Sequence, residues 1–298
     1  MPIIRGILTA FFLAVVSFSW AKEIVVVSYN LENYLGEPSA TTPPSKTEKP
    51  KPEAQIQALL SMIRELHPDI LGVMEMGGKD VFLDFQNRLA ECGLNYKFTE
   101  WIEGDDNNRH IALLSRFPIS KRDSQANMPF DLEGRRFHMA RGILDVTIEA
   151  SPAYSLRLVG LHLKSRRPVP EYDEKKFRAR EAVVVRRYLD DILEKNPDEN
   201  LLVFGDLNDT KNEFPITHIL GVRGTPSALR EIPLKDDAGL TWTHFWGAAD
   251  VYSRIDYFLA GRGLWPEVIL EKCGIFSSPQ WREASDHRPV FLTLSVPE

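Results

Sequence analysis

The sequence reads as one layered α/β sandwich, on three grounds. Aliphatic and β-branched runs of strand length recur from Glu23 to Leu294, a few helical periodicities stand among them, and no repeat or shift in composition divides the chain. At 298 residues the chain is long enough to bury a core of its own. Its 43% hydrophobic and 26% charged residues, with 18 Gly, 20 Pro and 2 Cys, exclude a disordered chain, a collagen-like repeat and a disulfide scaffold. A formal net charge of −6 argues against a high-affinity basic nucleic-acid binder, but not against an enzyme that meets nucleic acid briefly.

Met1 to Ala21 carries Arg5, an apolar stretch from Ile7 to Val16 and then Ser19-Trp20-Ala21, the marks of a signal peptide. The apolar centre is shorter than the ~20 residues a bilayer span needs. The expectation is therefore a periplasmic or secreted domain over 22–298, free of the membrane and monomeric. Glu23–Tyr29 is a β-branched strand with the composition of a segment buried on both faces. Residues 36–53 hold five prolines and read as a mobile insertion. Ala54–Leu66 repeats apolar residues at helical spacing and stops before Pro68. Strand Ile70–Met74 runs into Glu75, and Asp80–Ala90 is a second helix. Strands are then expected at Tyr96–Trp101, Ile111–Leu114, Phe137–Thr147 and Ser155–Leu163, followed by a long amphipathic helix from Asp173 to Glu194. Leu201–Phe204, Arg254–Leu259 and Pro289–Leu294 complete the strands. Export permits a Cys92–Cys273 disulfide, with two free thiols as the other reading.

Polar residues collect at the ends of these apolar runs, where strand folds place their sites. Asn30 follows the first strand and Glu75 the second, His162 and Lys164 close the Ser155 run, and Asp206 and Asn208 follow Leu201–Gly205. Asp256 interrupts an apolar run, and Asp286-His287 precede the last strand. Each has an ordinary reading alone: a turn at Asp206-Leu207-Asn208, a core histidine at His162, an ion pair of Asp256 with His287 or Arg254. Together they read differently, because converging carboxylates repel unless a cation sits among them. Oxygen donors without a thiolate favour a hard ion, Mg²⁺ or Mn²⁺ with Ca²⁺ also admissible, and no CxxC or HExxH supports zinc. Histidines beside such an ion offer donors to phosphate oxygens or a leaving group, which suits attack of water on a phosphodiester.

The motifs Tyr29-Asn30-Leu31-Glu32-Asn33, Pro68-Asp69-Ile70 with Glu75, and Leu161-His162-Leu163-Lys164-Ser165 are the first half of a pattern. Gly205-Asp206-Leu207-Asn208, Arg254-Ile255-Asp256-Tyr257 and Ser285-Asp286-His287-Arg288-Pro289 complete it. In this order they resemble the endonuclease/exonuclease/phosphatase superfamily, pancreatic deoxyribonuclease-like secreted members in particular. The resemblance implies a four-layer α/β sandwich, with two central mixed sheets flanked by helices and the site at one end of the sheets. It implies Glu75 and Asn30 as metal ligands, with Asp286 beside the metal or the nucleophile. It implies Asp206 orienting or deprotonating water, Asn208 binding a phosphate oxygen, and His287 next to the scissile phosphate, steadied by Asp256. His162 matches members that keep a second histidine, and Glu100 is expected to steady it.

Substrate class is read from the cations. Lys164, Arg166 and Arg167 follow the His162 strand, and Lys175, Lys176, Arg178 and Arg180 open the next helix, so a basic rim beside the cleft would suit a polyanionic backbone. Interleaved acids make a solvated helix face an equal reading. Arg109 and Lys164 are candidate phosphate ligands. The expectation is a metal-dependent nuclease on DNA or RNA. A phosphatase or phospholipase C on lipid or inositol phosphates is the alternative, with Phe245–Ala249 as the short apolar loop such a role would need. A catalytically dead binding module is disfavoured, because none of the six motifs has lost its polar residue.

Overall fold

The computed structural model describes residues 21–37 and 49–298. The expected signal peptide, Ala21 apart, and residues 38–48 of the insertion lie outside the described residues. In chain order the elements are β1 (Ala21–Tyr34), α1 (Glu53–Leu66), β2 (Ile70–Met76), α2 (Lys79–Glu91), β3 (Phe98–Ile102), β4 (His110–Ser115), β5 (Ile119–Arg122), β6 (Pro129–Leu132) and β7 (Arg135–His138). Then come β8 (Leu144–Ser151), β9 (Tyr154–His162), α3 (Glu174–Lys195), β10 (Leu201–Asp206), α4 (Phe214–Leu220) and β11 (Arg230–Glu231). The chain ends through β12 (His244–Trp246), β13 (Val251–Ser253), β14 (Asp256–Ala260), β15 (Gly274–Ile275), α5 (Trp281–Ala284) and β16 (Val290–Pro297).

Two six-stranded sheets form the centre, in the orders β15-β16-β1-β2-β4-β3 and β11-β14-β10-β9-β8-β5. Both are mixed: β1 pairs parallel with β2 and antiparallel with β16, and β10 pairs parallel with β9 and antiparallel with β14. The facing sides of the sheets interlock through Ile24, Val26, Ile111, Leu158, Phe204 and Phe258, all at most 1% exposed. On the outside of the first sheet lie α1 and α2, with Ile63 and Phe85 in that layer. On the outside of the second lie α3 and α4, with Val185 and Ile216. The result is the four-layer sandwich.

Local chemistry explains the boundaries. Ile56, Leu59, Leu60 and Ile63 give α1 one buried stripe, and the helix ends in a left-handed His67 (φ 48°) before Pro68. Asp173 caps α3 by accepting the Lys176 amide at 2.9 Å. The expected strand Phe137–Thr147 is two strands, β7 and β8. Gly142 breaks it, at φ 69° and with Gln125 O standing where a Cβ would lie 2.5 Å away. The far end of the insertion is pinned: Lys51 is buried and its ammonium donates to Glu32 O at 3.0 Å, so residues 49–53 lead directly into α1. Cys92 and Cys273 are free and pack against different hydrophobic layers, which excludes the disulfide reading.

Candidate active site

Strand register builds the floor of the site. Asp206, the last residue of β10, stands opposite His162 of β9 and opposite Asp256 of β14, and residues in register present their side chains on one face. Gly205 makes this approach possible: at φ 134° it leaves no room for a Cβ, which would lie 1.9 Å from Leu161 O. Asp206 is 1% exposed. Its Oδ1 accepts the Asn208 amide at 2.8 Å, and its Oδ2 accepts Asn30 Nδ2 at 3.0 Å and Asn208 Nδ2 at 3.1 Å. Asp256 Oδ2 is 2.8 Å from His287 Nδ1, and His287 Nε2 faces Asp206 Oδ2 at 3.8 Å. The choice left open for Asp256 falls to His287, because Arg254 pairs with Glu231 at 2.5 Å.

The first sheet supplies the carboxylates opposite. β1 is bulged between Asn30 and Tyr34, with Glu32 and Asn33 at φ 49° and 52°. Glu75 (φ 60°) and Asn208 (φ 52°) also take the left-handed region, so four of the seven such non-glycine residues among those described belong to this site. Glu75 Oε2 accepts the Asn33 amide at 2.8 Å, and Asn30 Nδ2 lies 3.5 Å from its Oε1. Glu32 Oε2 accepts the Asp286 amide at 3.0 Å, and Asp286 itself faces His244 Nε2 at 3.7 Å.

Charges in this space are unevenly balanced. Burial pushes the Asp206 carboxyl up to about 7; His287 opposes this and Asp256 and Glu75 reinforce it. Burial pulls the His287 imidazole down, but the Asp256 charge and hydrogen bond, with Asp206 and Asp286, outweigh it and raise it well above the ordinary value. His162 goes the other way: burial, then the charges of Arg141, His287, Arg109 and Lys164, hold it well below the usual range. Burial and the neighbouring Asp286 and Glu75 raise Glu32, against Lys51. Two groupings have ligand atoms within 4.8 Å of one another, Asp206-Asp256-His287 and His244-Asp286-His287. His287 is common to both, and its Nδ1 is held by Asp256 Oδ2 at 2.8 Å. Glu75, Asn30, Glu32 and Asp286 gather oxygen-bearing side chains at one end of the site, the donor type a hard divalent ion takes, with Lys51 3.9 Å from Glu32, Arg109 3.9 Å from Glu75 and Asn30 Oδ1 accepting the Glu32 amide.

These groups open into a cleft of about 740 Å³. Arg109, Arg141, Lys164 and Arg167 face it together with Asn208 and His287. Arg141 is 6% exposed; Nη2 binds Asp106 at 2.9 Å, and Nε and Nη1 are buried without a partner. Arg109 Nε donates to Asn33 Oδ1 at 2.7 Å. The Lys164 ammonium turns to Ser165 Oγ at 3.2 Å and Arg167 O at 3.3 Å.

A profile of the Endonuclease/Exonuclease/phosphatase family matches residues 27–287, nearly the whole described chain. The chain belongs to this family. At that level it is a metal-dependent phosphodiesterase. No curated protein sequence matches the chain. Its fold is similar to truncated Caenorhabditis elegans TDP2 (18% identity, 92% of this chain and 98% of that one, TM-score 0.60). It is also similar to the human nocturnin catalytic domain (16%, 92% and 95%, 0.61) and to sphingomyelinase C from Streptomyces griseocarneus (15%, 92% and 99%, 0.60).

Within the family frame, Asn30, Glu75, His162, Asp206, Asn208, Asp256, Asp286 and His287 meet in one place, with Arg109 and Lys164 on its wall. Glu100 does not join them. Its carboxylate takes Arg122 Nε at 2.8 Å and Ser124 Oγ at 2.7 Å, and His162 Nδ1 is buried without a hydrogen-bond partner among the described residues. Three of the four helical cations of the expected basic rim are spent on ion pairs, Lys175 with Glu213, Lys176 with Glu133 and the buried Arg178 with Asp209, while Arg180 is exposed. The cleft cations come largely from loops instead. Arg141, His244, Glu32 and Lys51 were not singled out by sequence. Glu32 lies inside a motif, and Arg141 directly precedes the Gly142 break, the one local sign of its place.

Proposed function

We propose that the protein is an exported enzyme that uses Mg²⁺ or Mn²⁺ to hydrolyse the phosphodiester bonds of DNA or RNA. The observation that carries this reading is the Asp256–His287 pair beside Asp206, facing a cleft whose wall is cationic. A phosphodiester seated there meets the His287 imidazole, with the Arg109, Arg141 and Arg167 side chains on the cleft wall, and these oppose charge developing on its oxygens. Asp206, held by three hydrogen bonds, orients a water toward phosphorus and accepts its proton. Asp256 holds the His287 ring in one orientation, so that Nε2 points into the cleft. Glu75 and Asn30, with Asp286 and Glu32 nearby, would hold the divalent ion, which when bound polarises a phosphate oxygen. Nucleic acid is favoured over a small ester because Arg109, Arg141, Lys164 and Arg167 together give the cleft more cationic wall than one phosphate occupies.

One observation favours a second reading. The β12–β13 hairpin exposes Trp246, Val251 and Tyr252 at 58%, 44% and 52%, an apolar tip suited to a lipid surface. A panel of plasmid, single-stranded DNA, RNA, sphingomyelin and phosphoinositides separates the two. Nucleic-acid cleavage lost with chelator is the expected result, and lipid turnover with nucleic acid left intact overturns the ranking. Asp206→Ala and His287→Ala should each cost at least ~10²-fold in rate. Full activity in both would refute the assignment.

A further inference from the structure

The second sheet carries, at its β11 edge, a cavity that the reaction above does not use. It measures about 1080 Å³ and is bounded by the end of α4, the 221–229 loop, β11 and the turn after β14. Lys211, Arg223, Arg230 and Arg262 face it, against one carboxylate, Glu231. That carboxylate is shared already, between Arg254 at 2.5 Å and Lys211 at 3.3 Å. Arg262 holds the exposed Asp198 at 2.7 Å. Arg230 lies 5.3 Å from the Trp265 ring centroid. Neither Arg230 nor Arg223 has a carboxylate partner among the described residues. With Arg254 and Asp198 included, five cations against two carboxylates leave this wall at +3, in a chain whose total is −6.

A concave wall with surplus arginine is the electrostatic form that gathers phosphates. We propose that this cavity is a second phosphate-binding site, which holds the backbone of a polynucleotide whose scissile bond lies in the catalytic cleft; this rests on the nucleic-acid reading above. The two places are linked by one loop and one strand. Lys211 is three residues beyond Asn208, which lines the cleft. Arg230 stands opposite Ala260, and Asp256 begins the same strand β14, so the two positions are four strand steps, roughly 13 Å, apart. A nucleic-acid strand rising about 3.4 Å per nucleotide covers that in about four nucleotides. The contacts would be to backbone, setting how the strand lies without reading its sequence.

The test is fluorescence anisotropy with a labelled single strand of about 20 nucleotides, Mg²⁺ present, in an Asp206→Ala background that prevents cleavage. Arg223→Glu with Arg230→Glu should weaken binding at least about tenfold. The slope of log affinity against log salt should become shallower by about 1.4, two contacts at about 0.7 each. Arg223→Lys with Arg230→Lys should stay within about threefold of the parent. Arg223→Glu alone, which leaves the Arg230–Trp265 contact in place, should show a smaller loss and guards against misfolding. Turnover of bis(p-nitrophenyl) phosphate by the same substitutions in the active enzyme serves as the control and should not change. Unchanged oligonucleotide affinity and slope would overturn the site, as would equal losses in the Lys and Glu pairs. Loss of binding to phosphatidylserine vesicles with oligonucleotide binding intact would overturn it too. An active enzyme that turns over the small diester but neither binds nor cleaves oligonucleotide would overturn the nucleic-acid reading itself. Oligonucleotide cleavage that is indifferent to the substitutions would remove this site alone.

Discussion

Arg141 is the side chain whose surroundings make the clearest demand on a ligand. A guanidinium at 6% exposure with two nitrogens unpaired among the described residues is costly, and its side chain lines the cleft in which the anion would sit. Arg141→Ala should therefore reduce kcat/KM for bis(p-nitrophenyl) phosphate at least about tenfold, and Arg141→Lys should restore only part, because the ammonium lacks the planar fork. Glu100 gives the opposite expectation. Since its carboxylate serves Arg122 and Ser124, Glu100→Gln should leave kcat/KM within about twofold. Steady-state kinetics on the three variants decides both statements, and a collapse in Glu100→Gln would reinstate it beside His162.

At the scale of elements, α3 acts as a bracket across the site. Its buried face carries Arg178 and Glu181 among Phe177, Val185 and Leu189. Glu181, at 0% exposed, accepts the Lys164 amide at 2.6 Å and the Ala140 amide at 3.1 Å. Arg178 ties Lys164 O at 3.0 Å to Asp209 at 3.0 Å. The helix thereby fixes the end of β9, the segment after β10 and the loop of Arg141 against one another. Glu181→Ala strands two buried amides and should cost about 2–3 kcal/mol in urea unfolding. It should also lower kcat/KM, because the Arg141 loop loses its anchor. An unaltered midpoint would show that these amides find other partners. This role was hidden in the sequence, where a charged residue in a helix reads as solvated.

Across the whole molecule, buried neutral histidine links stability to pH. His110 is 2% exposed, lies tilted against Trp101 with ring centroids 4.5 Å apart, and is held below its ordinary value by burial, with Asp106 and Glu103 opposing and Arg141 adding. The folded pKa lies below the unfolded one, so stability is full above about 6.5 and falls as pH drops through it. The unfolded chain then takes up a proton that the fold refuses, at up to about 1.4 kcal/mol per pH unit. Urea unfolding between pH 7.5 and 5.5 should show this slope, and His110→Gln should make it shallower, with the buried His162 supplying a remainder of the same sign; an equal slope in the variant would place the acid sensitivity elsewhere. The sequence alone determined the type and order of most elements, because apolar period is a local property: the strands that became β1, β2, β9, β10 and β16 and the helices α1 and α3 were legible to within a few residues. It also pointed to eight oxygen- and nitrogen-bearing residues that lie at the cleft or directly behind it, since each interrupts or follows an apolar run. Only the tertiary structure decided which of them touch, that Asp256 takes His287 rather than Arg254, and that Glu100 and three of the α3 cations face other partners. Convergence is set by register between strands distant in sequence and by where Gly142 and the β1 bulge turn the backbone, and residue type carries no record of either.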